Sequence, residues 1–253
     1  MTNSEIYRFS DFTLENYVKI LNLALQNYTF SLFTDAKIKR SILLRHDVEF
    51  SIPIALQMAE IEARLGVKST YFVQLHSEFY NALEKNSILA FKGIMQLGHK
   101  IGLHFDCHYW NIGSENELEE NIAFDKKTLE IYTNAEINVF SFHNNNSFTL
   151  SCRKDKYQGL LNVYSDYFRN NYGYNADSLG YWRFERLEDR LKEAKEDNLQ
   201  ILIHDGMWQS EILAPRQRVF KAIDEHANNM KFRYDSFLKN IGVKNIDWNN
   251  VYE

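Results

Sequence analysis

Proline and cysteine are nearly missing from this chain, which has two of each in 253 residues. Cys107 and Cys152 cannot build the multiply bridged framework of a small disulfide-rich domain, so stability must come from a hydrophobic core. With only Pro53 and Pro215, and ten scattered glycines, no stretch reads as a flexible linker, repeat or low-complexity tract. One continuous domain is expected. No apolar run approaches the roughly 20 residues that span a bilayer. The first residues, Met1-Thr2-Asn3-Ser4-Glu5, lack a charged segment followed by an apolar one. The expected location is therefore the cytoplasm. An excess of basic charge is also missing: the net charge of −5 argues against a nucleic-acid partner. The weakly basic stretch from Lys37 to Arg40 reads as a solvated loop. No Gly-x-x-x-x-Gly-Lys-Ser/Thr loop, Gly-x-Ser-x-Gly elbow or Cys-x-x-Cys pair occurs.

Apolar residues make up 45% of the chain, including 18 Phe, 15 Tyr and 4 Trp, enough for a sizeable core. Short β-branched or aromatic runs predict strands at Ser41–Arg45, Ser69–Val73, Lys100–His104, Ile137–Phe142, Leu161–Ser165 and Leu199–His204. Helical patterns fall at Pro53–Leu65, Glu78–Leu97, Glu115–Tyr132 and Leu187–Lys195, with a long last helix from about Arg216 to Leu238. An amphipathic helix starts near Phe12, and residues 1–40 are expected to cap the domain formed by 41–253. Gly242 to Glu253, with Trp248, carries no assignable chemistry. Strand–helix alternation implies a largely parallel sheet, whose chemistry gathers at the carboxyl ends of its strands.

Asp47, His104, His143 and His204 all fall at or just past such ends. In Arg45-His46-Asp47-Val48-Glu49 the two carboxylates are two apart, so on an extended chain they share a face. Crowded acids repel unless a cation or separate partners stabilise them, and one binding a metal while the other moves a proton would resolve this. Equally, they could be solvated loop acids. In Gly98-His99-Lys100-Ile101-Gly102-Leu103-His104-Phe105-Asp106-Cys107-His108 a strand delivers two histidines, four apart, to the following loop. Imidazoles and a carboxylate converging at strand ends suit a catalytic zinc-type site, although an isolated pair can be merely structural. His204 closes the apolar run Leu199-Gln200-Ile201-Leu202-Ile203 and could protonate a leaving amine. His143 reads as structural or functional with equal weight, and both cysteines read as structural.

These motifs, in this order, resemble the polysaccharide deacetylase superfamily, the NodB-homology or carbohydrate esterase family 4 type. Leu43 to Glu49 resembles its first motif, Gly98 to His108 its second, and Leu202-Ile203-His204 a late leucine-x-histidine motif. Between the last two, Asp177-Ser178-Leu179-Gly180-Tyr181-Trp182 resembles the Asp-to-Trp motif. The resemblance implies an α/β fold, a deformed (β/α) barrel of about seven parallel strands, and a divalent cation, most often zinc. It implies Asp47 as the base that takes a proton from the attacking water and Glu49, His104 and His108 as metal ligands. His204 would be the acid. Asp177 would hold that histidine, His143 would support the site, and Trp182 and Trp208 would help wall the acyl or sugar pocket. The expected function is removal of an N-acetyl or similar acyl group from a carbohydrate, or from a nucleotide- or lipid-linked sugar. A non-sugar amide or imide, or glycan binding without catalysis, are the alternatives. Three positions depart from the pattern: Glu49 stands for aspartate, His143-Asn144 for an arginine-x-proline motif, and Asp205 for proline.

Overall fold

The computed structural model describes residues 1–36 and 39–243. Residues 37 and 38, and most of the segment from Gly242 to Glu253, lie outside it. Among the described residues nine strands form one sheet: β1 (Thr29–Ser31), β2 (Ser41–Val48), β3 (Thr70–Val73), β4 (Lys100–Phe105), β5 (Val139–Phe142), β6 (Lys156–Tyr157), β7 (Leu160–Asn162), β8 (Gly173–Ala176) and β9 (Asn198–His204). The order is β6-β7-β5-β4-β3-β2-β9-β8, with β1 also paired to β2. Only the β6–β7 hairpin is antiparallel, which leaves seven parallel strands along the path from β7 to β8. All six strands expected from the sequence are present. Strands β1, β6 and β8 carry too few apolar residues to have been read.

The sheet curls on itself. Phe33, Leu43, Phe72, Val139, Val163, Phe168 and Tyr172 form one buried cluster, although they come from positions far apart along the strand order. Tyr164 and Phe168, beyond β7, also face the same cavity as Tyr174 of β8 and Gln200 of β9. The outcome is the expected deformed α/β barrel, left open between β7 and β8. Gly102 makes one tight contact possible: a Cβ there would stand 2.7 Å from the Phe72 ring on the neighbouring strand.

Helices cover the outer face. The helix Ile52–Arg64 starts where Ser51 caps the Ile54 N–H and Pro53 occupies the first turn, as sequence spacing predicted. The helix expected from Glu78 begins only at Lys85, after a turn in which Ser77 and Asn81 side chains bond nearby backbone N–H groups. Within residues 1–36, the helix Leu14–Leu25 packs its Tyr17, Ile20, Leu21 and Ala24 against Ile42 and Leu44 of β2 and Leu199 and Ile201 of β9.

All eight residues of β2 are buried. His46 on its outer face meets Glu62, and both are completely buried. The Glu62 carboxylate accepts from Tyr17 Oη, from Ser69 Oγ at 2.5 Å and from Tyr71 Oη at 3.0 Å, and lies 2.7 Å from His46 Nε2. Burial works to raise the pKa of Glu62, but His46, His99 and Ser69 outweigh it and hold the group anionic. Removing one member of such a network strands the others without partners. Glu62→Ala is therefore expected to destabilise the fold by about 3–5 kcal/mol in urea unfolding; a loss below about 1 kcal/mol would show that the network contributes little.

Candidate active site

Strands β2, β4, β5 and β9 bring polar residues at or just past their ends to one region: Asp47 and Glu49, His104, His143 and His204. On β2, Leu43, Arg45 and Asp47 alternate inward, and the β2–β9 register sets Asp47 directly opposite His204. On the next strands His104 pairs with Ser141. The His143 N–H extends that ladder by donating to the Phe105 carbonyl at 2.8 Å.

Asp47 is buried and gripped by its own strand. Arg45 Nε and Nη2 donate to its two oxygens at 2.7 and 2.6 Å. Burial alone would raise the Asp47 pKa; the Arg45 guanidinium and His104 overcome this and hold it below the usual carboxylate range. Arg45 in turn lies between aromatic rings, its Cζ 4.9 Å from the Tyr164 centroid and 5.5 Å from that of Phe72. The guanidinium expected to be missing, because His143 replaces an arginine, is thus supplied from two residues before the acid. Sequence reading passed over Arg45 because a charged residue inside an apolar strand gives no sign of its partner.

Glu49 Oε1 lies 3.0 Å from His104 Nε2 and 2.8 Å from His143 Nδ1, and those two nitrogens are 3.2 Å apart. Burial would raise Glu49, but hydrogen bonds with His104 and His143 hold it well below its ordinary value. Burial works to lower His143, and Glu49 raises it instead. His104 is oriented through Nδ1 by Ser141 Oγ at 2.7 Å. The loop bearing Glu49 is fixed by Asp205, whose carboxylate accepts from the backbone N–H groups of Glu49 at 2.9 Å, Phe50 at 3.4 Å and Ser51. Burial pushes Asp205 up to about 7, against those three donors. A proline could not make these contacts, so this departure gives the loop its anchor.

His108 does not join the pair. After Phe105 the chain turns on Asp106, whose Oδ1 accepts from the N–H groups of His108 and Tyr109 at 2.9 and 3.1 Å. The turn carries His108 to the exposed rim, where Nε2 lies 2.7 Å from the Asn144 carbonyl oxygen. The structure instead assembles Glu49, His104 and His143, and beside them Asp47, Glu49 and His204, each set with its donor atoms within 4.8 Å of one another. A tetrahedral ion with bonds of 2.0–2.2 Å separates its ligand atoms by roughly 3.3 Å. The distances among Glu49, His104 and His143 are close to that, and one carboxylate with two imidazoles is a donor set that suits zinc.

His204 Nδ1 lies 2.6 Å from Asp177 Oδ1, and its N–H also donates to that carboxylate. Trp208 Nε1 donates to the other oxygen at 2.8 Å. Burial would lower His204, but Asp177 pushes it up to about 10. Asp177 reaches this position because β8 pairs in parallel with β9 and ends one residue before it. The tryptophans do not wall a cavity at the site. Trp208 is fully buried and packs with Phe12 and Tyr17; Trp182 stacks on Phe12 and donates to Asp11 at 3.1 Å. The walls of the adjoining cavity, about 590 Å³, are instead Asn145, Tyr164, Phe168, Tyr172, Tyr174 and Ser178, with Arg169, Arg183 and Phe184 among its other lining residues.

No protein-family model matches this chain, and no curated protein does. Among solved structures, it is similar to a family 4 carbohydrate esterase from Bacillus anthracis at 18% identity and a TM-score of 0.45, covering 83% of this chain and 85% of that one. It is also similar to the Xyl-CE4 domain of a multidomain xylanase from the hindgut metagenome of Trinervitermes trinervoides (14%, TM-score 0.41, 86% and 93% covered). A third is a CE4 family pseudoenzyme from Bacillus anthracis (14%, TM-score 0.43), with 74% of this chain covering 62% of that one.

The Asp177–His204 pair yields a pH prediction. A histidine raised from 6.5 to about 10 contributes stability that is complete below about 6.5 and fades as pH rises toward 10. In urea unfolding, the stability lost in Asp177→Asn should be largest near pH 6 and shrink near about pH 10. An equal loss at both pH values would show that His204 is not charged by Asp177.

Proposed function

We propose that this protein is a metal-dependent hydrolase that removes an N-acetyl or similar acyl group from a carbohydrate. The observation that carries the reading is the meeting, at four strand ends, of an anionic Asp47, a carboxylate–imidazole set and a histidine held protonated by Asp177. Glu49, His104 and His143 would hold a divalent cation, zinc by the chemistry of the donors. Such an ion, when bound, acts as a Lewis acid toward an acyl oxygen and makes a nearby water more acidic.

The chain's own groups would divide the proton transfers. Asp47, kept anionic and oriented by Arg45, takes a proton from the attacking water. The water oxygen bonds to the acyl carbon, the carbon–nitrogen bond breaks, and His204 gives its proton to the departing amine. Asp177 keeps the imidazole in position for that step. His108, on the rim beside Asn144, is placed to meet the substrate.

The cavity next to the site supports a sugar as the acyl carrier. Tyr164 joins it to the catalytic groups: its hydroxyl accepts from Arg45 Nη2 at 3.2 Å and from Asn145 Nδ2 at 2.8 Å. Aromatic walls suit the apolar face of a pyranose ring. Arg169 and Arg183 at the same cavity suit an anionic substituent, as in a nucleotide-linked sugar.

Two measurements test this reading. Acetate release from N-acetylated amino sugars, free and nucleotide-linked, should fall about 10²–10⁴-fold in Asp47→Asn while zinc binding persists. Zinc affinity by competition with a chromophoric chelator should fall at least about a hundredfold in His143→Ala and change little in His108→Ala. The reverse ranking would restore His108 as the ligand.

A further inference from the structure

The last helix, Pro215–Asn240, carries an apolar stripe that the catalytic reading does not use. Phe220, Ile223, Ala227, Met230, Tyr234, Phe237 and Ile241 follow one another at alternating steps of three and four residues. The six large ones are each between 40% and 57% exposed. The helix is held to the barrel by other residues: Arg218 Nη1 donates to the Gly180 carbonyl at 2.9 Å, Ala222 and Leu238 are buried, and Arg233 pairs with Glu84 at 2.9 Å. At 100° per residue, the stripe sits roughly a third of a turn around the helix from Arg218, Ala222 and Arg233, with the buried Leu238 on its edge. The Arg216 guanidinium lies over the Phe220 ring, 4.8 Å from its centroid, and about half of each large side chain faces solvent.

Its period is what identifies the occupant. A helix lying on a globular core repeats its apolar positions every 3.6 residues, whereas a strict 3-4 spacing repeats every 3.5 and stays in line only against another helix that supercoils with it. The stripe runs for three heptads, about 33 Å.

We propose that this helix pairs antiparallel with the same helix of a second copy of the chain, about a two-fold axis at Met230. In that register each residue meets a suitable partner. Counting outward from that axis, Ile223 faces Phe237, while Phe220 falls within one residue of Ile241 and small Ala227 within one residue of large Tyr234, so volume is filled without overpacking. Met230, flexible and polarisable, meets itself on the axis. The six large side chains expose on the order of 600 Å² of apolar surface per chain. Twice that falls at the lower bound of the about 1,200–2,000 Å² of total surface that specific interfaces bury. A parallel pairing would instead put Tyr234 against Tyr234 and leave a gap at Ala227.

Sedimentation and cysteine cross-linking test this on the full chain. Wild type should sediment at twice the chain mass, and Tyr234→Glu combined with Phe237→Glu should sediment at the chain mass with an unchanged circular dichroism spectrum. Cys107 and Cys152 are buried, so an added surface thiol reports alone. Under mild oxidation Met230→Cys should link to itself, while Phe220→Cys should link only when mixed with Ile241→Cys. A wild type that stays monomeric at concentrations on the order of 100 μM would overturn the proposal. A dimer that survives the double substitution, or a self-linked Phe220→Cys, would do the same.

Discussion

Strand β2 carries buried charged or polar side chains on both of its faces, and the rest of the structure is arranged to give them partners. A parallel strand at the centre of a sheet is covered on both sides and usually reads as a run of aliphatic residues. Here Arg45 and Asp47 point inward while His46 points outward, all within 2% of complete burial. An uncompensated charge at such depth is strongly destabilising. The inward pair closes on itself with two hydrogen bonds and is flanked by the rings of Phe72 and Tyr164. The outward histidine reaches Glu62, which collects hydroxyl donors from the helix Leu14–Leu25 and from the start of β3. The second network locks the covering helices to the strand, and thereby fixes the register in which the first presents Asp47 to the site.

From that strand the acids and imidazoles sort themselves by partner. Arg45 keeps Asp47 ionised, Asp177 keeps His204 protonated, and Glu49 faces two imidazoles with no arginine near it. Carboxylates and imidazoles within a few ångströms of one another are thereby held by different partners. Environment, not residue identity, makes this division of labour. Asp205 has a quieter part: by gathering three backbone N–H groups it shapes the turn that puts Glu49 opposite His104.

Much of this was legible in the sequence, and what was not has identifiable causes. Apolar runs located β2, β3, β4, β5, β7 and β9 because burial on two faces demands them. The carboxyl-end rule then gathered Asp47, His104, His143 and His204 correctly into one region. Strand β8 was invisible because Gly173-Tyr174-Asn175-Ala176 lies at the edge of the opening and need not be apolar; what it positions, Asp177, was found through its motif. Histidine spacing favoured His108 over His143, since proximity in sequence is read more easily than a meeting of two strand ends. The side-chain turn at Asp106 that diverts His108 has no signature strong enough to overrule that spacing. Arg45 was missed for a related reason: two residues apart on one strand, it and Asp47 share a face, but only the fold shows that they turn toward one another.

The claim on which the account rests is that Glu49, His104 and His143 form the cation site. Anomalous diffraction from zinc-soaked crystals, recorded on both sides of the zinc edge, tests it directly. A single strong peak enclosed by those three side chains is expected, with His108 outside bonding distance. A peak bound by His108 in place of His143, or no peak among these residues in crystals that take up zinc elsewhere, would contradict it.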